Sequence, residues 1–137
     1  MKLSFTVPGK PQGKARPRFD GRNKRTYTPE STRAYEEMVR LYYRQAHRNA
    51  QIEGEVTAII VACFPIPKSA KLADKEAMIA GEIKPTIKPD ADNIIKAILD
   101  ALNGLAYHDD AAVVNVTAEK RYSTTPRVEV TITNEGC

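Results

Sequence analysis

Lys88-Pro-Asp-Ala-Asp-Asn-Ile-Ile-Lys-Ala-Ile-Leu-Asp-Ala-Leu-Asn-Gly104 is the stretch that decides the fold. From Ala91 to Asn103 the polar residues Asn93, Lys96, Asp100 and Asn103 recur on one stripe, while Ile94, Ile95, Ile98, Leu99 and Leu102 fill the rest. This is a helical period, so the segment predicts an amphipathic helix with Gly104 as its C-terminal cap. A helix with so broad an apolar face must be covered by another layer, and the flanking sequence offers strands.

Upstream, Leu3 to Val7 alternates apolar and polar residues and stops at Pro8-Gly9, which predicts a strand followed by a loop. That loop runs through Pro11, Gly13, Pro17 and Gly21 to Tyr27. Thr28-Pro29-Glu30 then supplies a cap, a proline at the first helical position and an early acid. Tyr35, Met38, Val39, Tyr42 and Ala46 give the resulting helix one apolar face until about Ala50. Val56 to Phe64 is β-branched and apolar and ends at Pro65 and Pro67, predicting a central strand buried on both faces. Ser69 is positioned to cap a short helix ending near Gly81. Val113 to Tyr122 and Val128 to Thr133, separated by Ser-Thr-Thr-Pro, predict an antiparallel pair. The order β, α, β, α, α, β, β implies an α/β (α+β) domain over residues 1–137, a mixed sheet of about four strands covered by helices.

A chain of 137 residues can bury a real core and is short for two ordinary domains. The longest apolar run, Ala58 to Phe64, is too short to cross a bilayer, and no signal pattern opens the sequence, so a cytoplasmic protein with no membrane partner is expected. Cys63 and Cys137 form no paired motif, which argues against a structural zinc site or a disulfide framework. The charge is unevenly spread. Lys10, Lys14, Arg16, Arg18, Arg22, Lys24 and Arg25 face only Asp20, a local +6 in a chain of net +4. Such a segment is either a solvated loop or a contact for a polyanion. Interleaved Phe19 and Tyr27, with no amphipathic helix alongside, favour a nucleic-acid backbone over a membrane. No base-reading motif accompanies it, so backbone or shape recognition is expected.

Four carboxylates near one helix, Asp90, Asp92, Asp109 and Asp110, suggest a cation site in this basic chain. Gathered like charges raise one another's pKa unless a lysine or a metal neutralises them. Hard oxygen ligands that also handle phosphate suit Mg2+. Residues two apart in an extended segment share a side, so Asp90 and Asp92 can both face one ion if the chain is extended after Pro89. The competing reading makes one of them the helix N-cap, which leaves the second unexplained. Lys96 lies one turn beyond Asp92, and its side chain leans back toward the carboxylates or a bound phosphate; otherwise it is an ordinary surface pair. Asp100 reads as a solvated partner of Lys96. His108-Asp109-Asp110 is either a polar turn or the source of a third carboxylate, with His108 more simply neither ligand nor base.

These residues resemble the RusA family of Holliday junction resolvases. Lys88-Pro-Asp-Ala-Asp-Asn-Ile-Ile-Lys96, Asp100-Ala-Leu-Asn103 and His108-Asp-Asp-Ala-Ala-Val113 look like that family's central signature. Gly9-Lys-Pro-Gln-Gly-Lys-Ala-Arg-Pro-Arg-Phe19, with Tyr27-Thr-Pro29 and Tyr35-Glu-Glu37, looks like the N-terminus of one branch. The resemblance implies a phage- or bacterial-type homodimer that cuts four-way junction DNA with symmetric nicks. Its cofactor would be Mg2+, with Mn2+ as a substitute. By position Asp90 and Asp92 match the paired acids, Lys96 the lysine needed for cleavage and Asp110 the later catalytic acid and metal ligand. Asp109 stays open as a residue that shares that last role or takes it over. Pro89 stands where the best-known member of the family has an arginine before its first acid, and Lys88 is the nearest replacement for that charge. The DNA-binding set would then be Lys10, Lys14, Arg16, Arg18, Arg22, Lys24, Arg25 and Lys88. Two other readings remain: a non-catalytic nucleic-acid-binding module whose aspartates are caps, and a nuclease for flaps, forks or RNA.

Overall fold

The computed structural model describes residues 1–14, 18–22, 25–27 and 30–135. Its elements are β1 (Lys2–Pro8), β2 (Arg18–Asp20), β3 (Arg25–Tyr27), α1 (Glu30–His47), β4 (Val56–Pro65), α2 (Leu72–Ile79), α3 (Ala91–Leu102), β5 (Val113–Ser123) and β6 (Arg127–Thr133). Four strands make one mixed sheet in the order β1-β6-β4-β5, as the α+β reading requires. β2 and β3 pair as a small separate hairpin inside what reads in sequence as continuous loop, its signal masked by cations and glycines.

Alternation sets which face of the sheet is covered. Leu3, Phe5 and Val7 of β1, Val128, Val130 and Ile132 of β6, and Val56, Ala58, Ile60, Ala62 and Phe64 of β4 are all buried. α1 and α3 pack on this side and on each other. The expectation that β4 is buried on both faces fails at Ile59, which is 38 % exposed. α1 and α3 pack on the face opposite Ile59, and β4 is central because β6 and β5 flank it.

β5 and β6 are not the antiparallel pair the sequence predicts. β6 inserts between β1 and β4, antiparallel to both, and β5 runs parallel along the outer side of β4. Burial explains the arrangement: the apolar residues of β6 need an interior position, whereas Asn115, Val116 and Thr117 of β5 remain exposed at an edge. A parallel neighbour requires a crossover, and residues 66–112, with α2 and α3, provide it.

In α1, Tyr35, Val39 and Tyr43 are buried at four-residue steps, and Tyr43 takes the place expected of Ala46. Its ring meets Phe5 edge-on at 5.4 Å and its hydroxyl donates to the Ala50 carbonyl. The helix stops at His47, before Ala50, as the backbone turns left-handed at Arg48 (φ 55°). The Thr28-Pro29 cap lies outside the described residues. α2 begins after Lys71 with no side-chain cap, so Ser69 does not cap it. α3 buries Ile94, Ala97, Ile98, Ala101 and Leu102, and Gly104 follows its end at φ 78°, as expected of a helix-terminating glycine. Among the described residues no helix is long and apolar enough to cross a membrane.

Candidate active site

Asp90 occupies the N-cap position of α3 with extended backbone, yet its side chain makes no capping hydrogen bond. Asp92 follows in the first turn, and both residues are exposed. Neither carboxylate is spent closing the helix, so the cap reading loses its support. The preceding Lys88–Pro89 peptide bond is cis. A cleft of about 540 Å³ opens here between the Lys10–Lys14 segment and Lys88, Pro89, Asp90 and Asn93. One carboxylate thus shares a cavity with several cations, a combination suited to a phosphate and its counter-ion.

Gly13 lets the loop approach α3 closely. A Cβ there would stand 2.9 Å from Pro89 Cβ and 3.0 Å from Asn93 Cβ. The next residue fastens the contact: Lys14 N–H donates to the Asn93 carbonyl at 3.0 Å. Its ammonium lies 2.7 Å from Glu36 Oε1 and 3.3 Å from Asp100 Oδ2, joining loop, α1 and α3. Burial pulls the Lys14 pKa down, but hydrogen bonds and charge from Glu36 and Asp100 outweigh it and leave the pKa raised. Arg40 extends the network, 4.0 Å from Glu36 Oε2, with hydrogen bonds to Glu37 at 2.6 Å and the Ala101 carbonyl at 3.3 Å.

Two expectations gain detail here. Lys14, read as a DNA contact, lines the cleft and also ties the loop to α1 and α3. Asp100, read as a solvated partner of Lys96, pairs with Lys14 instead, because the loop reaches the polar stripe first. Lys96 is left exposed, with no ion-pair partner among the described residues. Lys10 and Lys88 line the cleft. Arg22 is exposed between β2 and β3, Arg18 and Arg25 fall in that hairpin, and Arg16 and Lys24 lie outside the described residues.

The second acidic pair sits at the other end of α3. Asp109 Oδ1 accepts from Ala111 N–H at 3.2 Å and caps a single 3-10 turn, Asp110–Ala112. Asp110 donates its N–H to Asn103 Oδ1 at 3.1 Å, while its own Oδ1 is buried without a partner. Burial is the main cause holding the Asp110 carboxyl above the usual carboxylate range; the Tyr107 hydroxyl opposes the shift, and the charges of Asp100 and Asp109 add to it. The Tyr107 hydroxyl donates to the Leu99 carbonyl at 2.6 Å, and burial with the charge of Asp110 pushes its pKa well up. His108 is exposed.

A single chain therefore divides its acids. Asp90 and Asp92 open α3, whereas Asp110 lies beside Asn103 and under the charge of Asp100. Asp92 and Asp100 alone are about 12 Å apart along the helix axis. Among the described residues no three Asp, Glu, His or Cys side chains come close enough to hold one ion. Sequence reasoning misses Glu36, Asn103 and Tyr107, which look like ordinary helix and turn residues until the fold brings them to Lys14 and Asp110.

Two comparisons bear on this arrangement. Residues 8–133 match the family model described as endodeoxyribonuclease RusA. An uncharacterized protein, YqaN, of Bacillus subtilis (strain 168) is 38 % identical over 134 residues, covering 95 % of this chain and 94 % of the relative. A match spanning the cleft, α3 and the Asp109-Asp110 turn takes in every element that carries the candidate site. The chain belongs to the RusA endodeoxyribonuclease family.

Proposed function

We propose that this chain is a Mg2+-dependent, structure-specific endodeoxyribonuclease that acts in the cytoplasm as a homodimer and resolves four-way DNA junctions by paired symmetric nicks. The observation that carries the reading is an uncapped Asp90 carboxylate in the wall of a cleft shared with Lys10 and Lys88. The donor chemistry fits a hard divalent ion: Asp90 and Asp92 are exposed and uncommitted, and Asp110 holds a buried, unpartnered oxygen. Bound Mg2+, or Mn2+ in its place, supplies Lewis acidity toward the scissile phosphate and acidifies water.

The residues divide the remaining work. Asp90, Asp92 and Asp110 would hold the ion; Asp109 is tied to the Ala111 N–H and is the weaker candidate. Lys10 and Lys88 seat the phosphodiester. Lys96, with no ion-pair partner among the described residues, offsets the extra negative charge as the phosphorus–oxygen bond breaks. The separation of Asp110 from Asp90 within a chain supports the dimer, since a second copy can bring its own Asp90 and Asp92 to Asp110. The neighbouring edge supports it too: Val114 and Val116, just after Asp110 on β5, are 62 % and 36 % exposed.

A synthetic four-way junction incubated with the protein should show two symmetric nicks in Mg2+ and none in EDTA. Asp90→Asn should abolish cutting, a loss of at least about a hundredfold, and keep junction binding. A junction left intact in both Mg2+ and Mn2+ would sink the reading in favour of a non-catalytic binding module. Preferential cutting of flaps, forks or RNA in the same assay would reassign the substrate.

A further inference from the structure

We propose that the groove between α2 and the turn joining β5 to β6 is a second seat for the DNA phosphate backbone, apart from the Asp90 cleft, holding another arm of the branched substrate. This rests on the nuclease reading above. The groove measures about 330 Å³ and is lined by Lys68, Lys75, Ser123 and Thr124 together with Ile66 and Ile79. Its charge is unspent. Nearby Lys84 and Arg121 pair with Glu119 at 3.0 and 2.9 Å, and Arg127 pairs with Glu129 at 3.0 Å. Lys68 and Lys75 have no carboxylate partner among the described residues.

Ser123 adds a directional argument. Its Oγ accepts from Thr125 N–H at 3.1 Å and from Arg127 Nη1 at 2.9 Å. With both lone pairs taken, its own proton is available only to an acceptor. Two cations and a hydroxyl that can only donate suit an acceptor-only anion, which a phosphodiester is. α2 itself buries no side chain and leaves Leu72 and Ile79 exposed at 74 % and 61 %, so it adds little to the core. What it does add is the Lys75 wall of this groove. The two cavities flank one turn, because Gly9 N–H donates to the Pro126 carbonyl at 3.0 Å and anchors the start of the cleft loop there.

The test is binding of a four-way junction in EDTA across a salt series, comparing wild type with K68Q/K75Q and K68R/K75R. The glutamine pair should bind about tenfold more weakly near 0.1 M salt and lower the slope of log affinity against log salt by about 2, while the arginine pair keeps both. On wild-type protein, junction DNA should also protect Lys68 and Lys75 from amine acylation. A glutamine pair with wild-type affinity and slope, or unprotected lysines in the bound wild type, overturns the second seat and leaves the nuclease reading standing. Wild-type protein that neither binds nor cuts a junction overturns both.

Discussion

Gly13 shows how much of this site depends on one absent methyl group. With Pro89 and Asn93 at about 3 Å from the place a Cβ would occupy, Gly13→Ala must lift the loop from α3. Overpacking of this kind costs about 1–3 kcal/mol, measurable by urea denaturation, and junction cleavage should fall with it because Lys10 moves with the loop. Asp110 carries the opposite tension. Its folded carboxyl titrates above its unfolded value, so its stabilising contribution belongs to the protonated form and is lost as pH rises through the folded pKa. Asp110→Asn should therefore raise the Tm of the metal-free protein by a few degrees at pH 7 while abolishing cleavage. In acid, where Asp110 is protonated, that gain should vanish; a lower Tm at pH 7 would refute the account. The placement of Asp90 and Asp92 at the start of α3 was legible because both stand in one short run. The different surroundings of Asp109 and Asp110 were not, since only the fold shows which oxygen is tied to Ala111.

Single elements were readable where one period dominates. α3 and β1 follow from their apolar spacing, and their ends fall within a residue or so of expectation. Pairing was not readable: β5 and β6 are neighbours in sequence, and their separation in the sheet reflects a competition for the interior that burial decides. The loop before α1 was opaque for a related reason, because Lys14 looks like its basic neighbours until Glu36 and Asp100 enclose it. That tie makes a prediction about the loop as a unit. Lys14→Met strands two carboxylates and should cost on the order of 1–3 kcal/mol at neutral pH. Because the folded Lys14 pKa is raised, its contribution is complete below the unfolded lysine pKa and is lost as pH rises through the folded one. The gap between wild type and variant in urea midpoints should thus be constant from pH 6 to 9 and close in strong alkali.

For the whole molecule, the division of acids along α3 predicts complementation. Asp90→Asn and Asp110→Asn should each be inactive alone. Refolded together they should form mixed dimers in which one composite site has every acid intact, restoring roughly a quarter of wild-type sites. The product should be single nicks; a mixture that cuts nothing would place each site within one chain. The position of β6 reaches further, into biosynthesis. β1 has no sheet partner except β6, and β6 also completes β4 on that side. β1 must wait for a strand far along the chain, a long-range pairing of the kind that slows folding. A chain cut before Arg127 should show no slowly exchanging amides in β1. Until β6 is made, β4 has only β5 beside it and β1 stands outside the sheet, so the four-stranded sheet closes in its last step.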